Sequence, residues 1–196
     1  LAVGSGTRGT LGKPYCELIH TGTRLERDSS RYIRKECRML HLFIDIFPQD
    51  GWPADDGAAR RLVRRMNRGR YLIQCGRARI GKGASLLRTL VKTPPVLFMR
   101  LYGYRRVIRR MDQKAKALDY DSCRYVGAVT YGIYGIGERC LRSEVTDFAE
   151  VSFEGKRYAA PGCYDRYLTQ IFGDYRKLPP EDQQKSHGMR VWLSGN

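Results

Sequence analysis

The sequence predicts an α+β chain, and three observations carry that reading. Short apolar, β-branched runs end at turn residues. Longer segments repeat their apolar residues at helical spacing. The two kinds of segment are intermixed, without an internal repeat. A chain of 196 residues that is 42% hydrophobic and 11% aromatic is long and apolar enough to bury a core as one domain without disulfide staples.

Residues 1–13 are rich in Gly and Thr and read as loop or frayed terminus. A short strand is expected within residues 15–25. Residues 40–47 (Leu-His-Leu-Phe-Ile-Asp-Ile-Phe) read as a buried strand stopped by Pro48. Asp50-Gly51-Trp52-Pro53 is a turn. Asp55 and Asp56 then supply negative charge to the start of a helix through Met66, with Leu62, Val63 and Met66 on one face. Leu86, Leu87, Leu90 and Val91 form one helical stripe, and Val107, Ile108 and Met111 another. Pro94-Pro95 should break or kink the path between them. A strand is expected over 124–131, then Gly-rich turns. Residues 148–153 and 157–160 flank Glu154-Gly155 as a hairpin. A helix over 163–172, an irregular stretch over 173–180 and a last short helix opened by Pro180 complete the chain.

The net charge of +16 is unevenly placed. Residues 60–110 hold sixteen Lys or Arg and no Asp or Glu, while the remainder carries 20 of each sign. An anionic partner is expected for that segment. Its alternation of apolar stripes with Arg suits an anionic membrane surface. Tyr71, Tyr102 and Tyr104 beside Arg70, Arg100 and Arg105 would also suit nucleic acid, but no nucleic-acid-binding module accompanies them. The bland alternative is a solvated coat of stems over apolar helix faces. Six scattered cysteines show no zinc-ligand spacing, which fits reduced thiols. No leader pattern opens the chain and the longest uncharged run, residues 125–137, is too short to span a bilayer. A cytoplasmic address, peripheral at the inner membrane face, is the expectation.

Asp45 is the most informative single residue. It interrupts an apolar strand, where an ionised carboxylate is costly to bury without a partner. Alternation could aim Asp45 into a solvated cleft while Ile44 and Ile46 face the core. There it could ligate a hard cation such as Mg²⁺ or Mn²⁺, or bond to a loop or an Arg as a structural residue. Spacing alone does not separate the two. Gly4-x-Gly6-x-x-Gly9 matches a dinucleotide fingerprint in letters only, with no strand before it and Pro14 where the helix should run. Gly76-x₄-Gly81-Lys82-Gly83 lacks the P-loop hydroxyl and reads as a basic turn. Asp119-Tyr120-Asp121 reads as a solvated turn sooner than a metal pair. His20, His41 and His187 show no ligand spacing.

Two ordered motifs together resemble the LicD family of phosphocholine transferases, related to the fukutin-type transferases. Residues 43–53 (Phe-Ile-Asp-Ile-Phe-Pro-Gln-Asp-Gly-Trp-Pro) are similar to F-I-D-I-F-P-x-D-G-x-P. Phe153-Glu154-Gly155, then Pro161-Gly162-Cys163-Tyr164-Asp165-Arg166-Tyr167-Leu168, then residues 172–180 are similar to F-E-G, P-x-x-Y-D-x-Y-L and Y-G-D-Y-M-x-L-P-P. Tyr125-Val126-Gly127 and Glu138 between the motifs fit as well, and His187 could hold the place of a His that follows in the family. The resemblance implies a partial nucleotidyltransferase-like mixed sheet with a helical basic insertion. On that reading the single domain divides into a strand and carboxylate motif over 14–59, the insertion over 60–118, and later strands and helices over 119–196. It further implies transfer of a phosphoalcohol from a CDP-linked donor to a glycan such as lipopolysaccharide or teichoic acid. Asp45 would be a catalytic and metal carboxylate for Mg²⁺ or Mn²⁺. Asp174, Tyr175, Lys177 and His187 would line a substrate pocket, although Asp174, Tyr175 and Lys177 could equally sit on a packed helix stop. The family's upstream G-T-L-L-G, R-H and P-W-D-D-D-I-D elements have no match here beyond Gly9-Thr10-Leu11-Gly12. The amino-terminal catalytic part is therefore expected to be absent, leaving this chain inactive alone. The alternative class is a non-catalytic basic module for nucleic acid or anionic membrane.

Overall fold

The computed structural model describes residues 2–3, 12–38, 40–82, 85–184 and 188–193. The Gly4–Gly9 fingerprint, Gly83 and His187 lie outside them. Helices and four small antiparallel sheets make up the described residues, so the α+β expectation holds. The chain forms two compact units: residues 1–47, 67–112 and 184–196, and residues 48–66 and 113–183.

The first unit contains β1 (Ala2–Val3), β2 (Cys16–His20), β3 (Thr23–Arg27) and β4 (Leu42–Ile46). Its sheet runs β1-β2-β4, so part of the expected amino-terminal loop is a short edge strand. The helix begun by Asp55 and Asp56 is α1 (Asp56–Arg77), longer than the sequence suggested. Asp55 opens it by accepting a hydrogen bond from the Ala58 amide at 2.7 Å. Its later turns belong to this unit, as do α2 (Leu86–Tyr102) and most of α3 (Tyr104–Ala115). Met99, Val107, Ile108, Met111 and Ile73 are buried. Two glycines of α1 set how closely α3 approaches. A Cβ on Gly69 would lie 2.5 Å from Met111 Sδ, and one on Gly76 2.7 Å from Tyr104 Cβ. Gly76 is thus a packing residue inside a helix, which removes the P-loop resemblance.

Two expectations are corrected in this unit. Of the break or kink expected at Pro94-Pro95, the break does not occur: helix α2 continues through both. The carbonyls robbed of their amide partners belong to Leu90 and Val91, both exposed, so water can satisfy them. Ser85 caps the start by accepting from the Arg88 amide, and Thr89 and Thr93 hydroxyls bond back to the carbonyls of Ser85 and Thr89. Strand β4 is not buried as expected. Alternation holds, but in the opposite sense: Leu42, Ile44 and Ile46 are exposed, and Phe43 and Asp45 take the half-buried face. Strand β10 (Met189–Leu193) pairs with β3.

The second unit contains β5 (Asp50–Trp52), β6 (Tyr125–Gly127) and β7 (Cys140–Leu141) in one sheet, with Val126 opposite Gly51 and Cys140. Trp52 and Val126 are fully buried in it. A short α4 (Arg142–Thr146) precedes the expected hairpin, β8 (Phe148–Phe153) and β9 (Lys156–Pro161). Its two-residue turn puts Glu154 at φ 49° and Gly155 at φ 74°, the left-handed pair such a turn needs. Helix α5 (Tyr164–Phe172) follows as expected, stopped by Gly173 at φ 69°. Asp119 accepts from the Ser122 amide at 2.9 Å and Asp121 is open to solvent, so Asp119-Tyr120-Asp121 is the solvated turn expected of it.

Candidate functional site

Strand register decides the surroundings of Asp45. In the β2–β4 ladder Glu17 lies directly opposite Asp45, so the two carboxylates share one face of the sheet. Glu17 is only 3% exposed, whereas the Asp45 side chain keeps 30% of its surface. The Lys13 ammonium answers both. It bonds to Glu17 Oε1 and stands 3.6 Å from Asp45 Oδ1, an oxygen that is buried and makes no hydrogen bond. Lys13 is itself nearly covered, with its ammonium 4.6 Å from the Phe43 ring and 5.1 Å from the Tyr15 ring. Burial raises the Glu17 carboxyl above the usual carboxylate range, and Asp45 adds to the rise while Lys13 opposes it.

This arrangement does not fit a bare divalent cation. The space between the two acids already holds an ammonium, and Mg²⁺ needs several fixed oxygen ligands. Among the described residues no group of three His, Cys, Asp or Glu could hold a metal ion. The sequence pointed to Asp45 but gave no sign of Glu17 or Lys13, which reach it only through strand pairing.

The residues expected to line a substrate pocket around position 175 contact one another and Asp165. Asp174 pairs with Lys177 at 2.8 Å, and both are exposed. Tyr175 donates to Asp165 Oδ1 at 2.7 Å, and Arg176 reaches the same oxygen at 2.5 Å. The Tyr175 hydrogen bond, with Arg176, holds the Asp165 carboxyl below its ordinary value. This cluster is a stop for α5 tied back onto its first turn.

A cavity of about 330 Å³ within the second unit was not foreseen. Glu138, Cys140, Cys163, Tyr164, Tyr167 and Leu168 are among the residues that line it. Glu138 is 5% exposed. Its oxygens accept from the Tyr134 amide at 3.3 Å and the Tyr167 hydroxyl at 2.6 Å. Burial and the neighbouring Glu138 raise the Tyr167 phenol, so it stays protonated and donating. Burial, with Cys163 beside it, pushes the Cys140 thiol up to about 12. Sequence motifs flagged Glu138 only as a familiar letter; it ends a 3-10 turn (Gly135–Glu138) just before β7, with its backbone against Gly127 of β6. A Cβ on Gly127 would lie 2.2 Å from the Glu138 carbonyl oxygen, so only glycine permits that approach.

The chain is similar to the lipopolysaccharide cholinephosphotransferase LicD of Haemophilus influenzae. Identity is 24% over 151 residues, which is 76% of this chain and 56% of LicD, so the chain spans little more than half of that relative. No protein-family model and no solved structure matches the chain. The stretch similar to LicD is longer than either compact unit, so the similarity is not confined to one of them. The motif with Asp45 occupies β4 and runs on to β5, and the second motif runs from the β8–β9 turn through α5. No helix among the described residues is long and apolar enough to cross a membrane.

Proposed function

We propose that this chain carries the Asp45 part of a LicD-type transferase, which moves a phosphoalcohol, phosphocholine in the first instance, from a CDP-linked donor to lipopolysaccharide or a related cell-surface glycan. The observation that carries the reading is the similarity to LicD over three-quarters of the chain, with the Asp45 motif intact. In such a transfer a glycan hydroxyl oxygen forms a bond to the phosphorus that bears the alcohol. The bond from that phosphorus to CMP breaks, CMP leaves, and the hydroxyl proton must be taken up. Asp45 is the half-exposed member of the acid pair and the one able to meet a hydroxyl, while Glu17 is closed off. Lys13 fixes Asp45 in place and tempers its charge.

Helix α2 supports a peripheral position on an anionic membrane surface. Val96 and Met99 face the core, but most of its other apolar residues face outward, with Leu86, Leu87 and Leu101 exposed by 78%, 71% and 88%. They belong to the segment of residues 60–110 that has no acidic side chain. Such a face gains both apolar burial and headgroup attraction at the interface.

The test is transfer of labelled choline phosphate from CDP-choline to lipopolysaccharide lacking it, by a full-length LicD-like protein that includes this chain and by its Asp45→Asn variant. The expected outcome is label on the glycan, reduced at least ~100-fold by the substitution with unfolding temperature unchanged. Full-length wild-type protein that transfers no label, or an Asp45→Asn variant as active as wild type, refutes the reading.

A further inference from the structure

The Glu138 cavity is set apart from the rest of the chain by its charge. The protein carries 36 Lys and Arg residues, yet none lines this cavity, and neither does a His. Among the described residues no basic side chain pairs with Glu138, whose oxygens accept from one phenol and one amide. The nearby Arg139 is committed elsewhere, to the Pro53 and Ala54 carbonyls, to Asp56 and to the Tyr125 ring. The Cys140 thiol on the wall, pushed up to about 12, stays neutral. What remains is a carboxylate in a largely apolar chamber with the side chains of Tyr164 and Tyr167 beside it.

A buried carboxylate of this kind is costly unless a positive charge answers it. A hydrated metal ion or a small inorganic cation would need several oxygen ligands, which the apolar wall does not provide. An organic ammonium suits it instead. Its methyl or methylene groups meet apolar and aromatic surface, and its charge meets both the carboxylate and the ring faces. The volume is that of a small-ligand pocket.

We propose that this cavity binds a substituted ammonium headgroup, with Glu138 as counter-charge and Tyr164 and Tyr167 as aromatic walls. Tyr167 also positions the carboxylate through its hydroxyl. Identifying that headgroup as the choline of the transferred phosphoalcohol rests on the transferase reading above; the ammonium site itself does not.

The experiment titrates choline chloride into the full chain by calorimetry and compares 3,3-dimethylbutan-1-ol, which has the same shape without the charge. Choline is expected to bind at least about tenfold more tightly than the neutral alcohol. Glu138→Gln, which keeps an acceptor for Tyr167, should erase that preference. Tyr164→Leu should weaken choline by about three- to tenfold while leaving the alcohol little changed. Should Glu138→Gln fail to fold, the wild-type melting temperature measured with each compound gives the same comparison, since only a bound ligand raises it. Equal affinity for the two compounds, or a folded Glu138→Gln chain that still prefers choline, overturns the proposal. Because no donor or glycan is present, the result is independent of transfer. Transfer by the full-length protein with no choline preference in this chain sinks the cavity alone, and choline binding through Glu138 with no transfer by the full-length protein sinks the transferase reading alone.

Discussion

Lys13→Met removes the ammonium that Glu17 and Asp45 share. The two carboxylates then face each other across the β2–β4 ladder, one of them 3% exposed. Removing one partner of a buried pair costs about 3–5 kcal/mol. Asp45 keeps 30% of its side-chain surface and so retains some water, which places the loss near the low end, ~3 kcal/mol at pH 7.5. In a chain of this size that lowers the melting temperature by about 6–12 °C. The loss depends on pH, and its sign follows from Glu17. Its folded pKa lies above 4.5, so between that value and the folded pKa the folded state holds more protons than the unfolded one. The Glu17 contribution is therefore fullest below 4.5 and is lost as pH rises through the folded pKa. Lys13 opposes the upward shift, so removing it carries the window further up. At pH 4.5 a protonated Glu17 relieves the repulsion, and the cost of the substitution falls to about 1 kcal/mol, the ring contacts of the ammonium. Urea unfolding of both proteins at pH 4.5, 6.0 and 7.5 measures this, and Lys13→Met combined with Glu17→Gln should flatten the dependence. A difference that does not change between pH 4.5 and 7.5, or one under ~0.5 kcal/mol throughout, refutes the reasoning.

Gly127→Ala should destabilise the second unit by about 1–3 kcal/mol, because its methyl must displace backbone at Glu138, and should also weaken choline binding; a urea midpoint equal to wild type would contradict the close crossing. Leu87→Asp with Leu101→Asp should leave stability within about 0.5 kcal/mol, both side chains being exposed, yet reduce binding to phosphatidylglycerol vesicles at least ~tenfold. Co-sedimentation checks this, and unchanged vesicle binding, or tight DNA binding without vesicle affinity, would remove the membrane role.

Elements governed by local chemistry were legible in the sequence. Asp55 and Asp56 announced the start of α1, Glu154-Gly155 the hairpin turn, and Gly173 the end of α5. What failed was set by surroundings. Pro94-Pro95 reads as a break by local rules, but the carbonyls it leaves unpaired open to solvent, so the helix survives it. Residues 40–47 read as buried because they are apolar, yet it is the face carrying Asp45 that is covered, since Glu17 and Lys13 meet it there. An apolar pattern reports that a strand has two faces and does not say which one the neighbouring strand's charges will claim.

The same limit explains why the two carboxylate sites could not be told apart from sequence. Asp45 stood out because an acid in an apolar strand demands an explanation, whereas Glu138 entered only as a residue between the two motifs. Asp45 shares its counter-charge, Lys13, with the residue across the ladder, while the arginine beside Glu138 is held by Asp56 and the Tyr125 ring. Glu138 closes a 3-10 turn (Gly135–Glu138) and Arg139 leaves it, so the two neighbours go to different partners. An acid whose cation lies within the chain has its charge settled on folding. One whose oxygens meet only a phenol and an amide has its hydrogen bonds satisfied and its charge unanswered, and that difference makes Glu138 the better candidate to recognise a positively charged ligand.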